Sequence, residues 1–331
     1  MQIMLEGHER PVPVQAGDTI LESLLRAGVP FPFSCQAGNC GTCKCELVSG
    51  DILELEHSEH ALDPAERAKG IILACRTQVW DDTVVRRIDA EELVMHPSRV
   101  MRCRVLNMDP LTHDIMGIRL AIEAGGPFIF SAGQYAQLDF APRLSRHYSM
   151  ANMPESDELE FHVRRMPGGR TSAYVATQLK TGDRVKVTGP LGVAYLRERH
   201  NGQSLLVAGG SGLAPIQSIL CTLLAASAAS SVSLYFGVIS ERDVYHEGLL
   251  KDLAHKHPNF KYQIVLSEQK GASGRRYGMV QEAVAADVTE FGGVLAYLAG
   301  PPAMVEAAST MLVSRGMAPR HIHADAFYDQ P

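Results

Sequence analysis

Ser34-Cys35-Gln36-Ala37-Gly38-Asn39-Cys40-Gly41-Thr42-Cys43 sets three thiols at C-x4-C-x2-C spacing, and a fourth follows far downstream in Leu73-Ala74-Cys75-Arg76. A loop of this kind with one remote ligand suits a 2Fe-2S cluster held by Cys35, Cys40, Cys43 and Cys75. Gly38 and Gly41 free the backbone to turn N–H groups toward the cluster sulfurs. Zinc is the alternative. Structural zinc takes its thiolates as two short C-x2-4-C pairs, which the x4 gap and single distant ligand match poorly. Cys45, two residues past the third ligand, is expected to be a buried thiol on the outgoing strand.

Working outward, the 331 residues suggest two or three domains with ample core. The sequence shows no apolar run long enough to span a bilayer and no basic-start signal peptide, so a cytoplasmic protein without membrane contact is expected. Cys45, Cys103 and Cys221 have no framework spacing, which argues against a disulfide scaffold and for a reducing compartment. Residues 1–95 hold 16 acidic and 8 basic residues, net -8, and the remainder carries net +2. That local acidity makes nucleic acid an unsuitable partner and a basic protein surface a suitable one.

Gln2 to Leu5 and Pro11 to Val14 read as a hairpin. Thr19-Ile20-Leu21-Glu22 opens a helix as a capping box, which Gly28 ends. Asp63-Pro64 starts a second short helix closed by Gly70, and Ile71 to Leu73 run as a strand into Cys75. This is an α+β, β-grasp unit that resembles plant-type ferredoxins. Trp80 is expected to pack against its sheet. The unit is cut between Ala90 and Ser98, giving domains at 1–95, 98–198 and 203–331.

Between 99 and 195, Met101/Cys103/Val105, Met116/Ile118/Leu120/Ile122, Ala136/Leu138/Phe140, Leu159/Phe161/Val163 and Val185/Val187 alternate, predicting an antiparallel β-barrel. Gly133-Gln134-Tyr135, Arg146-His147-Tyr148-Ser149 and Gly168-Gly169-Arg170-Thr171-Ser172 resemble the flavin domain of the ferredoxin-NADP reductase family. The resemblance implies that Arg146 forks onto a flavin phosphate, Tyr148 lays its ring on the isoalloxazine and Ser149 offers a hydroxyl near N5. Thr171 and Ser172 open a helix whose free N–H groups and hydroxyls suit the pyrophosphate. His162 and Arg164 share the outward face of their strand, either against the flavin or in solvent.

After Glu198 to Gln203 strands and helices alternate, predicting a doubly wound α/β domain. Leu205 to Ala208 is a buried strand, and Gly209-Gly210-Ser211-Gly212-Leu213-Ala214-Pro215 is a turn that lets a dinucleotide approach the backbone. Leu298-Ala299-Gly300-Pro301-Pro302-Ala303-Met304 resembles the same family's C-G-P-P-x-M nicotinamide motif, with Ala299 where many members have cysteine. The tail His321-Ile322-His323-Ala324-Asp325-Ala326-Phe327-Tyr328 resembles its aromatic C-terminal segment, which implies Phe327 beside the flavin; the tail's two His and Asp325 fit an alternating strand better than a metal site.

Taken whole, this order of modules resembles the reductase components of bacterial aromatic-ring-hydroxylating dioxygenases, of the naphthalene and benzoate type. The resemblance implies a monomeric enzyme of aromatic hydrocarbon catabolism that converts the two electrons of NAD(P)H, through FAD, into single electrons on the 2Fe-2S cluster. A Rieske-type ferredoxin or the terminal oxygenase would receive them. NADH is favoured because Glu241, in Ser240-Glu241-Arg242 after Val238, suits ribose hydroxyls; Arg242 could instead take the 2'-phosphate of NADPH. Reductases of diiron monooxygenases or of deoxysugar dehydration share the architecture, and a non-enzymatic redox carrier or sensor is the rival of another class.

Overall fold

The computed structural model describes residues 1–33, 35–59, 61–88, 94, 96–226, 231–268 and 274–328, and divides into two compact units, Met1–Met95 and His96–Pro331. Ser34, most of the Ala90 to Ser98 boundary and the last three residues therefore lie partly or wholly outside the description.

In the first unit a five-stranded sheet runs in the order Val12–Pro13, Gln2–Leu5, Thr83–Arg87, Lys44–Ser49, Ile71–Leu73. Gln2–Leu5 pairs with Thr83–Arg87 in parallel and the other pairings are antiparallel. The sheet grasps the helix Ile20–Arg26, whose Ile20, Leu21 and Leu24 are buried. Thr19 and Glu22 form the expected capping box, as do Asp63 and Glu66 at the helix Pro64–Arg67. Trp80 departs from expectation: it is 65% exposed rather than packed on the sheet. It follows directly on the short strand Thr77–Val79, whose Val79 takes the inward position, so the next side chain in the alternation turns to water.

The second unit begins with a six-stranded antiparallel sheet. It curls until its two edge strands, Leu144–Ser149 and Glu158–Arg164, are joined by a bridge from Met150 to Phe161. Met101, Cys103, Ile118, Leu120, Leu138, Phe161 and Val187 fill its interior, so the alternating pattern has become one face of a closed core. A six-stranded, all-parallel sheet follows, with the strand Gln203–Gly209 at its middle and the tail strand Ile322–Ala326 at one edge. Leu206, Leu234 and Phe236 are buried on one face and Leu205, Val207 and Leu298 on the other, which is why these strands read as continuous apolar runs. The turns at Gly209 to Gly212 and Gly300 to Pro302 sit at the carboxyl ends of neighbouring strands, where such sheets bind ligands.

Candidate functional site

Around the four predicted thiols the chain is shaped to surround a group. Asn39 and Ala37 donate their N–H to Cys35 Sγ at 3.3 and 3.4 Å, and Cys35 N–H points at Cys40 Sγ at 3.5 Å. Gly38 and Gly41 take φ of 77° and 71°. A Cβ on Gly38 would fall 2.7 Å from the Arg76 side chain and one on Gly41 2.8 Å from the Ala61 carbonyl, so the loop tolerates no side chain at either place. Cys43 and Cys75 are buried, Cys35 and Cys40 half-buried, and the thiols meet as two pairs. Within the pairs one thiol is held down, Cys35 to about 5 by its hydrogen bond with Cys40 and Cys75 by its hydrogen bond with Cys43. Sulfurs this close, with N–H donors aimed at them, fit a 2Fe-2S cluster. Cys45 is fully buried and burial pushes its thiol up to about 12, as a spectator.

On the curled sheet, Arg146 is exposed and Tyr148 half-buried, and burial pushes the Tyr148 phenol up to about 12. Ser149 is buried, and its hydroxyl donates to Asp325 Oδ2 at 3.1 Å. The sequence places Asp325 on an alternating strand and gives no sign of its contact with Ser149. Burial raises its carboxyl to about 6, against which the single Ser149 hydrogen bond is the weaker effect. The adjoining Phe327 is tied by its N–H to the Gly300 carbonyl at 2.9 Å. One tail strand thus reaches both the Arg146 to Ser149 stretch and the glycine-proline turn. Thr171 and Ser172 are buried at the start of the helix Arg170–Thr177, but the Ser172 hydroxyl already closes its own loop, accepting from Met166 N–H and donating to the Gly169 carbonyl. The Ser172 hydroxyl is therefore engaged in ordering the turn that opens the helix.

The two turns expected to receive the dinucleotide pack backbone on backbone. A Cβ on Gly212 would lie 2.1 Å from the Ala299 carbonyl and one on Gly300 2.7 Å from the Gly209 carbonyl. Gly210 (φ 53°) and Gly300 (φ 140°) also hold conformations that suit glycine. Ser211 lies between Gly210 and Gly212 in the first turn, and Pro301 caps the helix Pro302–Ser314.

Family models match all three parts: a 2Fe-2S iron-sulfur cluster binding domain over residues 3–79, an oxidoreductase FAD-binding domain over 102–195 and an oxidoreductase NAD-binding domain over 206–310. The chain is 39% identical over 330 residues to the ferredoxin–NAD(P)+ reductase component of the naphthalene 1,2-dioxygenase system of Pseudomonas putida, covering 99% of each chain. It is 40% identical to the corresponding component of the naphthalene 1,2-dioxygenase/salicylate 5-hydroxylase systems of Ralstonia sp, again over 99% of each. The chain belongs to this family of oxygenase reductase components. Among solved structures it is similar to the Amycolatopsis cytochrome P450 reductase GcoB, with a TM-score of 0.82 and 38% identity over 98% of each chain. The protein is an NAD(P)H-dependent oxidoreductase with FAD and 2Fe-2S domains.

In this reductase the outward residues His162 and Arg164 of the strand Glu158–Arg164 are both engaged by other parts of the second unit. His162 is 4% exposed beneath Tyr245, whose hydroxyl lies 3.1 Å from Nδ1, so the expected outward position is covered by the nicotinamide domain. Arg164 pairs with Asp114 at 2.8 Å and reaches toward Gly210. Glu241 is gripped by Arg275, whose Nε donates to both carboxylate oxygens at 2.8 and 2.9 Å, a partner that no local spacing announces. No helix among the described residues is long and apolar enough to cross a membrane.

Proposed function

We propose that this reductase passes electrons from NADH to the ferredoxin or oxygenase component of an aromatic-ring-hydroxylating dioxygenase. What carries the reading is full-length likeness to naphthalene dioxygenase reductase components together with intact flavin, nicotinamide and four-cysteine stretches. When bound, FAD accepts a hydride and releases electrons singly, and a 2Fe-2S cluster takes them one at a time. Arg146 forks onto phosphate, Tyr148 provides the ring for stacking, and Thr171, Ser172 and Arg164 shape the rest of the flavin cradle, whereas His162, enclosed between Tyr245 and Glu160, takes no part in it. Ser149, oriented by Asp325, presents its hydroxyl at the reacting edge, and Phe327 shields it from water. Gly210, Ser211, Gly212, Gly300 and Pro301 hold the dinucleotide. Cys35, Cys40, Cys43 and Cys75 hold the cluster.

NADH is the preferred donor in this reading. Arg275, the guanidinium beside the ribose-reading loop, is neutralised by Glu241 and Glu247, so it offers little net charge to a 2'-phosphate. One chain holds all three modules, so a monomer suffices, and the three cysteines outside the cluster set, Cys45, Cys103 and Cys221, form no disulfide, in keeping with a cytoplasmic site.

The acidic face is narrower than the sequence count implies. Glu54 pairs with Arg67 and Glu66 with Lys44, whereas Glu56 and Glu59 are exposed. They flank Ser58, whose N–H donates to the Gly38 carbonyl at 3.0 Å, and so border the cluster loop directly. A basic acceptor surface would be steered there. The likeness to a P450 reductase favours a second reading, in which the acceptor is a cytochrome P450.

Both acceptor classes, a Rieske-type ferredoxin and a P450, are tested with NADH at limiting acceptor across a salt series, for the native chain and for Glu56→Gln/Glu59→Gln. Faster reduction of the Rieske protein, slowed by salt and by the double variant, is expected. Preference for the P450 would transfer the assignment to the second reading, and a salt-independent rate would remove Glu56 and Glu59 from the docking face.

A further inference from the structure

A cluster of titratable side chains that the electron path does not use is assembled from two distant stretches of the second unit. Glu160 and His162 stand on the strand Glu158–Arg164, and His246 immediately precedes the helix Glu247–Lys256. Each offers one donor atom, and the three atoms lie within 4.8 Å of one another. His162 Nε2 is 3.2 Å from Glu160 Oε1, and the two imidazoles meet edge to face with centroids 5.2 Å apart.

Outer partners hold both rings. His246 Nδ1 lies 2.6 Å from Gln217 Oε1; an amide oxygen only accepts, so Nδ1 carries the proton and Nε2 keeps its lone pair. His162 Nδ1 is held by the Tyr245 hydroxyl at 3.1 Å, which leaves Nε2 toward Glu160. Imidazole ligands in metal sites are fixed in this way, one nitrogen on an outer hydrogen bond and the other on the ion. His246 also keeps φ at 56°, a left-handed conformation that a β-carbon disfavours and that the surrounding contacts must sustain. The His162 side chain is 0% exposed and that of Glu160 26% exposed, so an ion would be enclosed on one side and open to water on the other.

We propose that Glu160, His162 and His246 form a site for a borderline divalent cation of the zinc type. Two imidazoles and a carboxylate are suitable donors for zinc, and ligand bonds of about 2 Å need donors separated by little more than the Glu160–His162 distance. A cation there ties the flavin-domain strand to the start of a nicotinamide-domain helix. Tyr245, which stands on His162, also approaches the Gly210 carbonyl at 3.4 Å, so the site adjoins the dinucleotide turn. It shares no ligand with the four-cysteine loop.

The test is equilibrium dialysis of the holoenzyme, with FAD and cluster in place, against buffered zinc ion, while cluster absorbance is followed to show that iron is retained. Native protein should bind one zinc per chain at this site. His246→Asn and Glu160→Gln should each weaken it by at least about tenfold. Asparagine is chosen because it tolerates the left-handed backbone, and native FAD content reports that each variant is folded. Zinc should also raise the temperature at which the native chain releases FAD, with no such rise in either variant. Equal zinc affinity in all three proteins, or no zinc bound by the native chain, would overturn the assignment.

Discussion

Replacing Asp325 by Asn isolates charge from shape at the tail strand. Asp325 is buried, and burial pushes its carboxyl up to about 6 from 3.8, because it penalises the ion more than the Ser149 hydroxyl rewards it. A raised folded-state pKa means that the stabilising contribution is complete below the unfolded value and is lost as pH climbs through about 6. The full shift is worth about 3 kcal/mol, and about half of it is lost between pH 5 and pH 8. Asparagine keeps an oxygen to accept from Ser149. Its amide hydrogens add a burial cost that does not vary with pH, so the informative quantity is the change in the difference between the two proteins. FAD release on heating follows the second unit. The Asn variant should gain on the native chain by about 3 to 6 °C as pH rises from about 5 to 8. Parallel curves for the two proteins over that range would show that Asp325 titrates as it does in water, and the burial argument would fail.

Three further outcomes are expected. Cys40→Ser should abolish electron delivery to a protein acceptor while leaving NADH-driven reduction of ferricyanide through the flavin, with iron and sulfide falling from about two each per chain. Arg146→Ala should weaken FAD retention by roughly tenfold to a hundredfold and Arg146→Lys by less, measured by flavin released on gel filtration, since lysine keeps the charge but not the fork. Gly212→Ala puts a Cβ 2.1 Å from the Ala299 carbonyl and must push the two nicotinamide turns apart, so KM for NADH should rise by about tenfold or more while cluster content stays native.

The features legible in sequence were those written in local spacing. The thiol spacing, the capping boxes at Thr19 and Asp63, the period of two through Met101, Cys103 and Val105, and the glycine turn at Gly209 to Gly212 all reappear in the fold. What stayed hidden depends on partners remote in the chain. His162 alternates like a solvent-facing residue, yet Tyr245, 83 positions later, covers it. Asp325 alternates the same way on an edge strand, and Ser149, 176 positions earlier, receives it. The Glu241–Arg275 pair joins residues 34 positions apart. Trp80 erred in the other direction, because a large apolar ring was weighed above the alternation that turns it outward.

Ala299 shows how the backbone can preserve a site when a family side chain is missing. The nicotinamide motif has no thiol at this position, and Ala299 is 1% exposed within the apolar layer beneath the turn. The turn itself owes little to that side chain. Gly212 approaches the Ala299 carbonyl, Gly300 approaches Gly209, and Phe327 N–H closes on the Gly300 carbonyl. These contacts are made by main-chain atoms that alanine and cysteine share. In the function proposed above, the shape of the nicotinamide pocket therefore survives the exchange, and polar orientation at the reacting edge falls to Ser149, which Asp325 holds from the tail strand that leads directly into Phe327.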